Sequence, residues 1–248
     1  MRARSRLRTA GNERAPGVLA WRALALVLLA PAAHGQSPAA TATQVAREEL
    51  CVTEGEIAQD PDGSLTVRVP KMRAFVMRPV ADAVAVRLTY QGPTSEQSAL
   101  GSGDVRGQFA LKLRALDACN LLYVTWRVTP TSKLVVQVKK NPRQHSSSEC
   151  SNQGYQTLKP RLAGPLPHLA PGETHVMRAE IAAATLRVFV DGRPVWEGEL
   201  GEFADLTSGP VGVRSDNVRA AFRLEVGAGT ALIPAQLPAC RAGVAGAE

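Results

Sequence analysis

Along most of this chain apolar and polar residues alternate one by one, the period of a strand with one buried face. Leu65, Val67 and Val69 alternate with Ser64, Thr66 and Arg68, and Val84, Val86, Leu88 and Tyr90 with Ala85, Arg87 and Thr89. Phe109, Leu111 and Leu113 alternate with Gln108, Lys112 and Arg114, and Leu122, Val124, Trp126 and Val128 with Tyr123, Thr125 and Arg127. Leu134, Val136 and Val138 alternate with Gln137 and Lys139. Leu186, Val188 and Val190 make a further run. Val218, Ala220, Phe222, Leu224 and Val226 close the series against Arg219, Arg223 and Glu225. Turn signals separate the runs, among them Asp62-Gly63, Gly101-Ser102-Gly103, Asn141-Pro142, Asp191-Gly192 and Ser208-Gly209-Pro210. Asp-Gly suits a type I′ turn, so Val188–Val190 and Pro194–Trp196 are predicted to pair as a hairpin. Many short strands at regular spacing predict an all-β sandwich or barrel. The polar, Ser- and Pro-rich stretch 141–171 is expected to be a long surface loop, and the Ala/Gly/Pro-rich end from Gly227 to fray unless Cys240 holds it.

The N-terminus breaks this pattern. Arg2, Arg4, Arg6, Arg8, Arg14 and Arg22 precede an apolar run, Ala23–Ala30, then Pro31 and the small residues Ala33 and Gly35 around His34. That order is a secretory signal, cleaved near Gly35. The run is shorter than the roughly 20 residues a membrane span needs. The expected organisation is a signal over 1–35, a linker over 36–47, one sandwich over 48–240 and a tail over 241–248. The full chain has 29 Lys+Arg against 22 Asp+Glu. Removing the signal leaves twenty-three against twenty-one, so the basic balance belongs mostly to the signal and gives no reason to expect nucleic acid. The expected location is secreted or periplasmic.

Cys51, Cys119, Cys150 and Cys240 all follow the signal, and an even count in an exported chain points to disulfides. Four cysteines allow three connectivities. The favoured one pairs Cys119 with Cys150, tying a strand to the loop after its neighbour, and Cys51 with Cys240, clamping the two ends of the domain. His145, His168 and His175 have no metal-ligand spacing. No Gly-x-Ser-x-Gly elbow is present. Asp60-Pro61-Asp62-Gly63 lacks the further oxygen ligands of a calcium loop and reads as a turn.

Two segments carry a family likeness. Leu186–Leu200, with its Asp-Gly turn, resembles the strand–turn–strand of concanavalin A-like lectin/glucanase domains. The segment from Gly209 to Val226 resembles their closing part, a glycine-flanked short strand leading into a last alternating strand; laminin-G-like modules and keto-disaccharide-hydrolase-like sandwiches share the arrangement. The resemblance implies an all-β antiparallel β-sandwich of the jelly-roll kind, and a fold that hosts binders, hydrolases and structural modules alike. The glucanase branch carries its acids in a Glu-x-Asp-x-Glu or Glu-x-Asp-x-x-Glu strand motif, absent here. Glu197 and Glu199 share one strand face without the middle Asp and read as a solvated edge. No catalytic residue, cofactor or metal ligand is named, although some relatives hold calcium in loops.

If the apolar residues of the middle strands face the core, the other face presents Arg87, Thr89, Gln108, Lys112, Arg114, Tyr123, Arg127, Gln137 and Lys139. This cationic, amide-bearing face with an exposed Tyr123 suits an anionic glycan. Trp126, of opposite parity, is expected in the core, and Tyr155 either at the binding edge or packed under its loop. The leading expectation is non-catalytic binding of carbohydrate or another surface polymer. A glycoside hydrolase-like enzyme and a structural or adhesion module that binds protein are the rivals.

Overall fold

The alternating runs form strands, and the strands pair into two antiparallel sheets packed as a sandwich. The computed structural model describes residues 42–205 and 209–229. The expected signal, Cys240 with its pairing to Cys51, and the tail lie outside the described residues. Among those described, the strands in chain order are β1 (Ala42–Gln44), β2 (Leu50–Glu54), β3 (Ala58–Gln59), β4 (Leu65–Val67), β5 (Lys71–Val76), β6 (Val80–Pro93), β7 (Gly107–Leu113) and β8 (Leu121–Thr129). They continue with β9 (Lys133–Lys139), β10 (Tyr155–Thr157), β11 (Leu162–Ala163), β12 (Thr174–Ala182), β13 (Thr185–Val190), β14 (Arg193–Glu199), β15 (Gly212–Asp216) and β16 (Val218–Ala228). The first sheet runs β11-β14-β13-β12-β6-β16-β4-β3, with β1 also on β16; the second runs β10-β9-β8-β7-β15-β5-β2.

Parity places the core as expected. Val86, Leu88, Met177, Val188, Phe222 and Leu224 from the first sheet meet Phe109, Leu111, Leu122, Val124, Trp126 and Val136 from the second. Phe109 and Phe222 touch across the interface, ring centroids 5.4 Å apart. Trp126 is fully buried, its indole N–H donating to Ser132 Oγ at 3.4 Å. Truncating an aromatic in such a core costs about 3–5 kcal/mol. The β13–β14 hairpin turns on Asp191 and Gly192, with φ of 50° and 76°, the two left-handed positions of a type I′ turn.

Three expectations are corrected. The linker ends earlier than residue 47, because β1 pairs with β16 and Val45 is buried in the core. The 141–171 stretch is not all loop: it holds a one-turn helix, Ser147–Cys150, and supplies an edge strand to each sheet, β10 and β11. Most consequential, β6 belongs to the first sheet, between β12 and β16. Arg87 therefore stands exposed on the far side of the sandwich from β7, β8 and β9. Alternation tells which residues share a face of one strand; it does not tell which sheet the strand joins.

Candidate functional site

The outer face of the second sheet is organised in rows across its strands. One row carries Lys71, Asp216, Gln108 and Arg127; the next Arg73, Arg214, Ala110 and Thr125; the third Phe75, Gly212, Lys112, Tyr123 and Gln137. β7 is buried on both faces, because two loops cover it from outside.

The first, 94–106, is fastened by Asn217, the buried corner between β15 and β16 with φ of 55°. Its side-chain oxygen accepts from Ser98 N at 2.8 Å, and its amide nitrogen donates to the carbonyls of Ser98 and Arg106 at 2.9 and 3.0 Å. Asparagine tolerates this left-handed backbone better than other non-glycine residues.

The second loop, 140–154, is fastened by the Cys119–Cys150 disulfide, Cα atoms 5.9 Å apart, the pairing favoured among the three connectivities. Lys139 Nζ donates to the carbonyls of Ala118 and Ser151 at 3.2 and 2.8 Å. Glu149 accepts from the backbone N–H groups of His145 and Ser146, which hold its carboxyl below the ordinary value.

At the centre of the floor sits Asp216, with 0% exposure. Arg73 donates to it at 2.6 Å, Arg214 at 2.8 Å and the Gln108 amide at 2.7 Å. Burial alone would raise its carboxyl; the guanidinium groups of Arg73 and Arg214, with the hydrogen bonds from Arg214 and Gln108, outweigh this and hold it well below the usual carboxylate range. Burial pulls Arg214 down and Asp216 pulls it further up, so it stays charged. Such a carboxylate is a fixed counter-ion, with no proton to donate near neutral pH.

Two chambers open between this floor and the loops. One, about 250 Å³, is walled by Arg106, Gln108, Thr125, Arg127 and Gln137. The other, about 410 Å³, is walled by Glu54, Lys71, Arg73, Lys139 and serines of the one-turn helix. Leu100, Gly101, Tyr123, Asn152, Tyr155 and Arg214 line both. Tyr155 stacks on Tyr123 with centroids 6.1 Å apart, and the Arg214 guanidinium lies 5.3 Å from the Tyr123 ring. Above them the two loops meet: a Cβ on Gly101 would lie 2.5 Å from Asn152 Oδ1.

Of the residues expected on this face, Gln108, Tyr123, Arg127 and Gln137 line the smaller chamber, and Tyr123 and Lys139 the larger. Tyr123 is buried (6% exposed) and forms a wall where an exposed platform was expected. Lys112 is fully buried, its ammonium 3.9 Å above the Phe75 ring, and lines neither chamber. Arg114 leaves the face: its backbone turns left-handed (φ 47°), and its guanidinium bonds Asp82 at 2.7 Å and the Ala204 carbonyl at 2.9 Å. Sequence reasoning missed Arg73, Arg214, Asp216 and Asn217. The signal for three of them lay in the closing segment 209–226, read there for its fold likeness and not for its charges.

Arg127 is the residue whose environment asks for a partner. Its Nε is buried without a hydrogen bond, and no ion pair to it exists among the described residues. Burial and the neighbouring Arg106 lower its pKa, opposed by Asp104. Glu197 pairs with Arg161 and with Arg187, and Glu199 accepts from Thr185. Asp62 closes its turn onto Ser64, whose hydroxyl and backbone N–H donate to it and, with a smaller contribution from Arg223, lower its carboxyl to about 2. Among the described residues, no group of three or more His, Cys, Asp or Glu side chains is placed to hold a metal, and no helix is long and apolar enough to cross a membrane.

No family model matches the sequence, and no curated protein matches it. Among solved structures, the chain is similar to carbohydrate binding module CBM66 from Bacillus subtilis, at 14% identity and a TM-score of 0.48 over 70% of this chain and 91% of that one. It is similar to a Bacillus subtilis protein of unknown function with a galectin-like fold, at 14% identity and a TM-score of 0.48 over 72% and 88%. A Crh5 transglycosylase in complex with NAG gives 12% identity and a TM-score of 0.46 over 77% and 86%.

Proposed function

We propose that this is an exported, non-catalytic carbohydrate-binding protein, and that the acidic group of an anionic glycan is held in the smaller chamber. The observation that carries the reading is Arg127. It is a partly buried guanidinium without an ion pair among the described residues, beside Arg106 and Arg214 and next to the Tyr123–Tyr155 stack. Leaving a guanidinium desolvated and unmatched costs stability, and a ligand carboxylate or sulfate would complete it with charge-assisted hydrogen bonds. Gln108 and Gln137 line the same chamber with amides suited to sugar hydroxyls. The N-terminal signal pattern and the disulfide support export.

The test is calorimetric titration of the oxidised protein with hexagalacturonate and with cellohexaose, at low and moderate salt. The expected result is salt-weakened binding of the acidic hexamer alone, weakened about tenfold or more in Arg127→Ala while the melting temperature holds. Binding unaffected by Arg127→Ala, or no binding to the acidic ligand, overturns the proposal.

A further inference from the structure

Resting on that reading, we infer that the two chambers are two anion-accepting subsites for one ligand, so that the site takes an internal stretch of an acidic polysaccharide and not a single terminal sugar. The chambers share one partition, floored by Tyr123 and Arg214 and roofed where Gly101 meets Asn152. Each has its own cation without an ion pair among the described residues, Arg127 in the smaller and Lys71 in the larger.

These two cations stand on one row of the sheet. Lys71 is registered with Asp216, Asp216 with Gln108, and Gln108 with Arg127. Three strand spacings separate them, about 14 Å. One carboxylate cannot meet both ends, whereas acidic groups repeating along a polymer can. Asp216, midway, does not repel such a chain, because Arg73 and Arg214 neutralise it. Tyr123 and Tyr155 line both chambers, so their hydroxyls are available to the sugars that join the two subsites. The two roofing loops are tied down independently, one by Asn217 and the other by the disulfide, so the partition is a built feature of the site.

The experiment titrates oligogalacturonates of one to six residues into the wild type, Arg127→Ala and Lys71→Ala. In the wild type, affinity should climb by roughly 100-fold between the monomer and the length that spans both chambers, and then level. Lys71→Ala should weaken the longest ligand about tenfold and leave the monomer unchanged, while Arg127→Ala should weaken every length. A monomer that binds as tightly as the hexamer, or a hexamer indifferent to Lys71→Ala, overturns the two-subsite inference and leaves the single-chamber reading standing. No binding at any length overturns both.

Discussion

Replacing Asp216 with Asn keeps the shape of the side chain and removes the negative charge from between two guanidinium groups. Asp216 and Arg73 have side-chain exposures of 0% and 7%, so the charges left behind are poorly hydrated. Breaking a buried ion pair from one side costs about 3–5 kcal/mol. The amide oxygen still accepts one hydrogen bond, which places the expected loss near the lower end, about 3 kcal/mol. For a domain of this size that is roughly 6–12 °C in Tm, or about 1.5 M in urea midpoint at a slope near 2 kcal/mol/M. The pH dependence fixes the cause. The folded carboxyl lies below its unfolded value, so its stabilisation is complete above the unfolded pKa, about 4, and is lost as pH falls through the depressed value. The gap between wild type and Asp216→Asn should be constant from about pH 8 to about pH 5 and narrow below about pH 4, where the carboxyl of the unfolded wild-type chain begins to take up a proton while the folded one stays ionised. Urea unfolding across that range measures it. A loss under about 1 kcal/mol at neutral pH, or a gap that widens on acidification, would refute the reasoning.

Other consequences follow from the same geometry. The double variant Cys119→Ser, Cys150→Ser opens a closure with sequence separation 31, worth about 4 kcal/mol of unfolded-chain entropy, and should abolish ligand binding because it frees the loop carrying Asn152; denaturation and calorimetry read the two effects. Asn217→Gly keeps the left-handed backbone but loses the hydrogen bonds to Ser98 and Arg106, so amide exchange across 94–106 should quicken by roughly 10-fold or more while the core strands stay protected. Arg127→Met should leave stability unchanged or raise it by up to about 1 kcal/mol, because it removes a desolvated charge; a loss of more than that would show a structural role for the guanidinium.

By itself the sequence determined the local layer of this protein. Alternation placed Phe109, Leu122, Trp126 and Phe222 in the core, because the side-chain period of a strand is a property of the backbone and needs no partner. The Asp191-Gly192 pair specified its hairpin because few residues accept two successive left-handed positions. Of the three connectivities four cysteines allow, the sequence favoured the one that pairs Cys119 with Cys150, and these two are bonded. Parity also put Gln108, Tyr123, Arg127 and Gln137 on one face.

What that face does was decided by tertiary structure. Sheet order is non-local, so nothing near Arg87 told that β6 pairs with β12 and β16, and nothing near Asp216 told that β15 would lie between β5 and β7. Burial on the outer face is set by loops distant in sequence. They turn Tyr123 from a platform into a wall and Lys139 from a ligand cation into a fastener of backbone carbonyls. A charged residue reads the same in sequence whether it is solvated, paired or unmatched. Only the packing around it separated Lys112, seated over Phe75, from Arg127, whose buried nitrogen has no partner among the described residues.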